Sequence, residues 1–314
     1  MNIIFFGSDN FAVLPLESLF DSKLKISCVV TQPDKKKGRG LHLDGTDIKK
    51  IASRQGIEIF QPEDINYSDS INFLRKMQPD LFIVIAYGQI FSKELLEIPR
   101  SGSINIHASL LPKYRGAAPI NWAVINGERS TGVSAIKMSE KMDAGEIIGQ
   151  KEIGIDIEDT SATLANKLSN LGSSLLLEVL NAVQHDKIRG VKQDEGMATF
   201  APKLKKDDGS IDWNKSAQEI HNLVRGCVDW PGAFTYYKGK LLKIIKARVI
   251  FPLEEKNVPG SRGEIIKILK DDLIVTCGKG DLVIEELQIE GKRRMLVKEF
   301  IAGHKVFTGD IFGR

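Results

Sequence analysis

The sequence predicts an α/β protein: a Rossmann-like, mostly parallel sheet with helices on both faces, followed by a small C-terminal β-barrel of OB-like type. Three observations carry this expectation. Short apolar runs of strand length alternate with segments of helical spacing over roughly the first 200 residues, the pattern of repeated βαβ units. Those runs are apolar almost throughout rather than alternating, as strands covered on both faces must be. After Pro231 the helical segments give way to several short strands separated by Gly, Lys and Asp turns, which suggests a small antiparallel barrel.

The elements follow in order. "NIIFFG" (2–7), "KISCVV" (25–30), "IEIF" (57–60), "DLFIVIAYG" (80–88), "SINIH" (103–107) and "TGVSAIKM" (131–138) are the strand candidates of the first region. Between them "FAVLPLESLF", "TDIKKIASRQ", "DSINFLRKM" and "SKELLEI" have helical spacing, and Pro15 suits the first of these only near the helix start. Residues 160–184 read as a long amphipathic helix with Thr160 as N-cap. "SAQEIHNLVRGC" reads as one more helix. The barrel strands are then "AFTYYKG", "KLLKIIKARVI", "GEIIKIL", "DLIVTC" and "DLVIEELQI". A chain of 314 residues suits two domains, 1–202 and 203–314, with the division near "FAPKLKKDDGSIDW".

Composition narrows the function classes. No stretch approaches the ~18 consecutive apolar residues of a membrane span, and "MNIIFFG" has no cationic region ahead of a long apolar one, so a cytoplasmic protein without a membrane partner is expected. Cys28, Cys227 and Cys277 are odd in number and widely separated, which suits neither a disulfide framework nor a zinc site. Residues 203–314 carry 21 Lys and Arg against 16 Asp and Glu, net +5, while residues 1–202 carry 23 against 25, net −2. That excess fits either a Lys-rich solvated surface or a footprint for a polyanion.

Two loops invite ligand readings. "FFGSDNFA" has one glycine where a dinucleotide fingerprint needs three, which sets NAD aside. "PDKKKGRG" (33–40) could bind an anionic partner through Lys35, Lys36, Lys37 and Arg39, although it lacks Walker spacing; a polar loop that is mobile until an acceptor arrives is expected over 33–45.

"SINIHASLLPKYRGAAPINW" (103–122) is the most demanding stretch. On a strand, Asn105 and His107 share a face, ~6.6 Å apart, at a sheet end of the kind where ligands bind. Pro112 stiffens the turn that follows, and Arg115 is the lone arginine within it. A His near a strand end is commonly structural. "TGVSAIKMSEKMDAGEII", however, ends a further strand in a loop with Asp143 beside Ala144 and Gly145, and a parallel sheet could bring that carboxylate to the imidazole. An amide donor, an imidazole and a carboxylate without an activated Ser or Cys suit direct acyl transfer between two bound substrates. Ser109 lacks a nucleophile elbow, and His42, His107, His185, His221 and His304 never take metal-site spacing, so no metal is expected.

These residues resemble the folate-dependent formyltransferases. Asn-x-His before "SLLPKYRG" and the later "MDAGEII" look like that family's signature, and "TQPDKKKGRG", "VIAYGQI", "RGAAPINWAVINGE", "TGVSAIKM", "EDTSATLANKL", "FAPKLKKDDGSIDW" and "WPGAF" extend the likeness along the chain. Asp9 stands where the family commonly has proline, and "LHLDGTDIKK" replaces a Pro-Ser-Pro-Val-like stretch. The resemblance implies 10-formyltetrahydrofolate as donor, the α-amine of initiator Met-tRNA as acceptor, and a monomer. It implies Asn105 and His107 on the oxyanion, with His107 and Asp143 exchanging protons. Ser109, Leu110, Leu111 and Pro112 would line the folate site, and Arg39 would lie near the aminoacyl end of the tRNA. Lys238, Lys240 and Lys246, in and after a predicted hairpin where alternate residues share a face, would contact tRNA phosphates. An amino-sugar nucleotide or other small amine as acceptor, a hydrolase giving free formate, and a non-catalytic folate- or nucleic-acid-binding module are the other readings.

Overall fold

The computed structural model describes residues 1–22, 24–37, 42–250 and 261–313, with the side chains of Lys36, Lys37, His42 and Leu43 outside that description. The chain forms two compact units. The first comprises Met1–Pro119, Ser130–Gly154 and Ala165–Pro202; the second comprises Ile120–Arg129, Ile155–Leu164 and Lys203–Arg314. Among the described residues, no helix is long and apolar enough to cross a membrane.

In chain order the elements begin β1 (Asn2–Gly7), α1 (Val13–Phe20), β2 (Lys25–Val30), β3 (Lys35–Lys37), β4 (His42–Asp44), α2 (Asp47–Arg54), β5 (Glu58–Phe60) and α3 (Ser68–Lys76). They continue with β6 (Leu81–Ile85), α4 (Lys93–Leu96), β7 (Ser103–His107), α5 (Pro119–Ile125), β8 (Ser130–Lys137), β9 (Ile147–Gly154) and α6 (Ser161–Gln184). The first unit is built on a seven-stranded sheet of order β5-β2-β1-β6-β7-β8-β9. Its strands are parallel from β5 to β7. The runs read as doubly covered strands are so: all five residues of β6 are buried. One face packs an aromatic cluster in which Phe6 meets Phe82, Tyr87 and Phe91 edge-on, with ring centroids 4.9, 5.5 and 5.0 Å apart. Each fully buried side chain of this size contributes ~1.5–3 kcal/mol, which holds β1 and β6 in the register that presents their C-terminal ends.

Local chemistry explains the element starts. Pro15 sits in the first turn of α1, where its missing N–H costs no helix bond. Asp9, the residue in the family's proline position, accepts a hydrogen bond from Phe11 N at 2.9 Å and caps the turn before α1. Thr160 Oγ1 accepts from Thr163 N at 3.2 Å, the N-cap expected for α6.

The mostly parallel sheet expected from the sequence is found, with an antiparallel edge. The sheet does not stay parallel to its end: β8 runs antiparallel to β7, with Ile104 opposite Lys137 and His107 opposite Ser134. The connection from β7 is spent on a turn and the short α5, not on a helix packed back along the sheet, as a parallel return requires. Within the segment expected as a loop at 33–45, β3 and β4 pair antiparallel, Lys35 opposite Asp44 and Lys37 opposite His42, while residues 38–41 lie outside the described residues.

The second unit holds α7 (Ala217–Gly226), β10 (Ala233–Tyr237), β11 (Lys240–Ile250), β12 (Ile265–Ile268), β13 (Leu273–Thr276), β14 (Asp281–Ile289), β15 (Met295–Leu296) and α8 (Val297–Gly303). Its antiparallel sheet runs β10-β11-β14-β13-β12, with β15 beside β14. The end of the chain links the two edge strands. Ile265 N donates to Asp310 O and Phe312 N to Gly263 O on the β12 side, while Gly313 N donates to Tyr236 O on the β10 side. Those bonds leave less free sheet edge for other chains to pair with. Trp213, Leu242, Phe300 and Phe312 fill the interior against α7. Lys238 and Gly239 both have positive φ, +50° and +75°, the signature of a type I′ hairpin turn.

Candidate active site

The period of β7 does most of the work at the site. Asn105 and His107 project on one side, and the 138–146 loop carries Asp143 to them although β8 arrives from the opposite direction. Asn105 Nδ2 lies 3.4 Å from Asp143 Oδ1, and His107 Nδ1 lies 3.7 Å from Asp143 Oδ2. The imidazole side chain is 7% exposed and the carboxylate 13%, so the pair faces little water. Among the described residues, the Asn105 side chain has no hydrogen-bond partner besides Asp143, which leaves an amide N–H available at the site.

The tautomer of His107 follows from its second contact. Its Nε2 lies 2.9 Å from Tyr114 O. A carbonyl only accepts, so Nε2 carries the hydrogen and Nδ1 is the nitrogen free to take or give a proton toward Asp143. The hydrogen on Nε2 is given to Tyr114, so the His107 N–H expected at an oxyanion beside Asn105 would come from Nδ1 of the protonated ring.

The turn after β7 is braced from inside. Ser109 Oγ donates to Lys113 O at 2.6 Å, so its hydroxyl is not a nucleophile in waiting. Ser134 Oγ donates to Ser109 O and accepts from Leu111 N, and Gln150 Nε2 donates to Leu111 O. Of the four residues assigned to the folate site, Ser109 and Leu111 are buried inside this turn, whereas Leu110 and Pro112 are half-buried and reach its surface. Further along, Gly116 N donates to Asp143 Oδ2 at 2.8 Å and fixes the carboxylate. Gly116 has φ +124°, and a Cβ there would come 2.7 Å from Ala201 O, so only glycine allows this approach.

Sequence reasoning left Arg115 without a task and missed Gln193. Arg115 is 4% exposed and gives its guanidinium to Gln193 and Glu195. The Gln193 amide donates to the carbonyls of Asp143 and Gly145. The one available signal was an arginine followed directly by Gly116, Ala117 and Ala118.

The residues assigned to tRNA are divided between the two units. Arg39 lies outside the described residues, as do the side chains of Lys36 and Lys37; Lys35 is exposed on β3, with Nζ 3.4 Å from Gln32 Oε1. In the second unit Lys238 pairs with Asp310 at 3.1 Å and stands over the Tyr237 and Phe307 rings. Lys246 pairs with Glu285 at 3.0 Å. Hydrogen bonds to Tyr237 and Asp310 hold the Lys238 ammonium above its usual range, and the bond to Glu285 does the same for Lys246. Strict alternation would put Lys240 and Lys246 on one face with Leu242 and Ile244, and the strand does not keep it. Leu242 and Ile244 point inward, and irregular register between Ile244 and Ala247 turns Lys246 outward. No group of three His, Cys, Asp or Glu among the described residues could hold a metal ion, and burial pushes the thiols of Cys28, Cys227 and Cys277 up to about 12.

Comparison with known proteins agrees along the chain. Residues 1–180 match the family described as formyl transferase, and residues 203–305 match its C-terminal domain. The methionyl-tRNA formyltransferase of Acetivibrio thermocellus is 43% identical over 314 residues, covering all of both chains. That of Thermodesulfovibrio yellowstonii is 49% identical over 307 residues, 98% of this chain and 97% of the other. Among solved structures, an N-formyltransferase from Helicobacter canadensis, in complex with folinic acid and dTDP-3-aminofucose, shares the fold at TM-score 0.65 and 19% identity, covering 90% of this chain and 97% of that one.

Proposed function

The chain belongs to the formyl transferase family, and from that premise we propose that it transfers the formyl group of 10-formyltetrahydrofolate to the α-amino group of methionyl initiator tRNA, as a cytoplasmic monomer serving translation initiation. One observation favours this acceptor. Proteins named methionyl-tRNA formyltransferase align with the whole chain, catalytic and C-terminal regions alike, whereas the likeness to sugar N-formyltransferases is one of fold.

The chain's residues fit a folate donor at the turn after β7, where apolar Leu110 and Pro112 reach the surface of a loop braced from within, close to His107. The donor supplies an activated formyl carbon. An α-amine has a reference pKa of ~7.7–8.0, so a useful fraction is neutral near pH 7 before any base acts. In this reading the free N–H of Asn105 stabilises the oxygen that becomes negative when the amine adds, a contribution of ~10² to 10³ in rate. His107 Nδ1 accepts the proton lost by the amine and returns it to the departing nitrogen, with Asp143 Oδ2 facing the same ring nitrogen. Gly116 N and the Tyr114 carbonyl keep carboxylate and ring in these roles.

The test is one assay with three acceptors: initiator Met-tRNA, uncharged tRNA and an amino-sugar nucleotide. Formylation of the first alone is expected. Comparable transfer to the amino sugar would move the small-amine reading to first place.

A further inference from the structure

Resting on that reading of Asp143, we propose that Gln193 is a positioning residue for formyl transfer, anchored by Arg115. Asp143 has φ +51°, a left-handed conformation that costs a non-glycine residue on the order of 1–2 kcal/mol, so the surrounding structure must impose it. Gly116 holds only the carboxylate. The backbone at and just after Asp143 is held by Gln193, whose Nε2 donates to Asp143 O at 2.7 Å and to Gly145 O at 2.8 Å.

The orientation of this amide is unambiguous. Its Oε1 faces Arg115, a donor only, at 3.0 Å from Nε and 2.8 Å from Nη2, while its nitrogen faces two carbonyls, acceptors only. Both amide hydrogens are used, and Oε1 accepts twice. Arg115 spends its remaining reach on Glu195, Nη1 and Nη2 each 2.9 Å from a carboxylate oxygen, and this bond holds the Glu195 carboxyl below its usual range. The segment carrying Gln193 is itself fastened to the loop, since Val191 and Ile147 exchange backbone hydrogen bonds of 2.8 and 2.9 Å. An exposed Glu195 thus fixes a buried guanidinium, the guanidinium fixes an amide, and the amide clamps the backbone that aims Asp143 at His107. Gln193 touches neither Asn105 nor His107 in the described contacts and acts through Asp143.

The experiment measures steady-state formyl transfer to Met-tRNA for the full chain, Gln193→Ala, Asp143→Ala and the double variant, with donor affinity and thermal melting as checks on folding. Gln193→Ala should lower kcat by roughly 10- to 100-fold, the scale that ~1 Å of misplacement produces, with KM for the donor changed less than about twofold. In the Asp143→Ala background the same change should remove less than about a further twofold, because its route to the chemistry is gone. Wild-type kcat in Gln193→Ala, or the same fold loss in both backgrounds, overturns the assignment. Should Asp143→Ala itself keep full turnover, the catalytic reading of Asp143 fails first, and the two failures are told apart. If Gln193→Ala loses donor binding along with turnover, Glu195→Gln decides: a ~2- to 5-fold kcat loss, the scale of one weakened hydrogen bond, that disappears in the Asp143→Ala background supports the chain of bonds, and an unchanged kcat overturns it.

Discussion

Gly145→Ala is the sharpest test of how the loop delivers Asp143. The added Cβ would fall inside the van der Waals envelope of the Lys137 carbonyl oxygen and 2.8 Å from the Lys137 carbonyl carbon. Both are backbone atoms of β8, which the sheet holds opposite Ile104, so the loop must give way rather than the strand. Lys137 N also donates to Glu146 O at 2.9 Å, and Gln193 holds Gly145 O at 2.8 Å, so relief of the clash on the order of 1 Å disturbs both bonds and carries Asp143 with it. A displacement of that size costs about 10² in rate. The fold loses less, about 1–3 kcal/mol of overpacking strain, because the core beneath β7 and β8 is untouched. The assay pairs kcat for formyl transfer with thermal melting and uses Gly154→Ala as control, since a Cβ there meets nothing within 4 Å. A Gly145→Ala protein that melts somewhat lower and turns over about 10²-fold more slowly, beside an unaffected control, is the expected result. Wild-type turnover in Gly145→Ala, or an equal loss in Gly154→Ala, would refute the steric account.

Three further outcomes are expected. Asn105→Ala should lower kcat by ~10² to 10³ with donor affinity intact, and a loss confined to KM, read by steady-state kinetics, would remove the amide from the oxyanion. In tRNA binding titrated against salt, Lys240→Ala should flatten the log–log slope by ~0.7–0.9, and Lys246→Ala should do less because Glu285 already neutralises that ammonium at 3.0 Å; equal effects would count against the ion pair surviving in the complex. His221 is 4% exposed, and burial, then the neighbouring Arg225 cation, hold its imidazole below the usual range against the opposing pull of Glu158 and Glu285. The unfolded chain therefore takes up a proton that the folded chain resists, so stability is full above the unfolded histidine value of ~6.5 and falls as pH drops through it. Melting temperature measured from pH 8 to 5.5 should decline less steeply in His221→Gln, and parallel profiles would locate the acid sensitivity elsewhere.

Legibility in the sequence followed the range of the physics. The parallel strands were readable because burial on both faces leaves a continuous apolar run, and Asn105 and His107 were readable as a pair because the strand period is a property of neighbouring residues. The direction of β8 was not readable. Its apolar residues look the same running either way, and what decides direction is how the chain spends the residues between His107 and Ser130. In the second unit the type I′ turn at Lys238–Gly239 is local and was visible as a hairpin, whereas the bulge that turns Lys246 outward depends on its pairing with β14.

The same distinction explains why two of the site's fixing groups were invisible. Tyr114 and Gly116 act through a backbone carbonyl and a backbone N–H, and every residue type but proline supplies both atoms. What the sequence does record is the cost of putting them there. Gly116 admits the close approach to Ala201 O, Gly145 the approach to Lys137, and small residues stand between the charged ones. Arg115 belongs to the same record: a charge 4% exposed survives only with its partners made in full. A search for further positioning residues in such a fold is best directed at polar side chains in connectors, like Gln193, that can reach the backbone of a strained carboxylate.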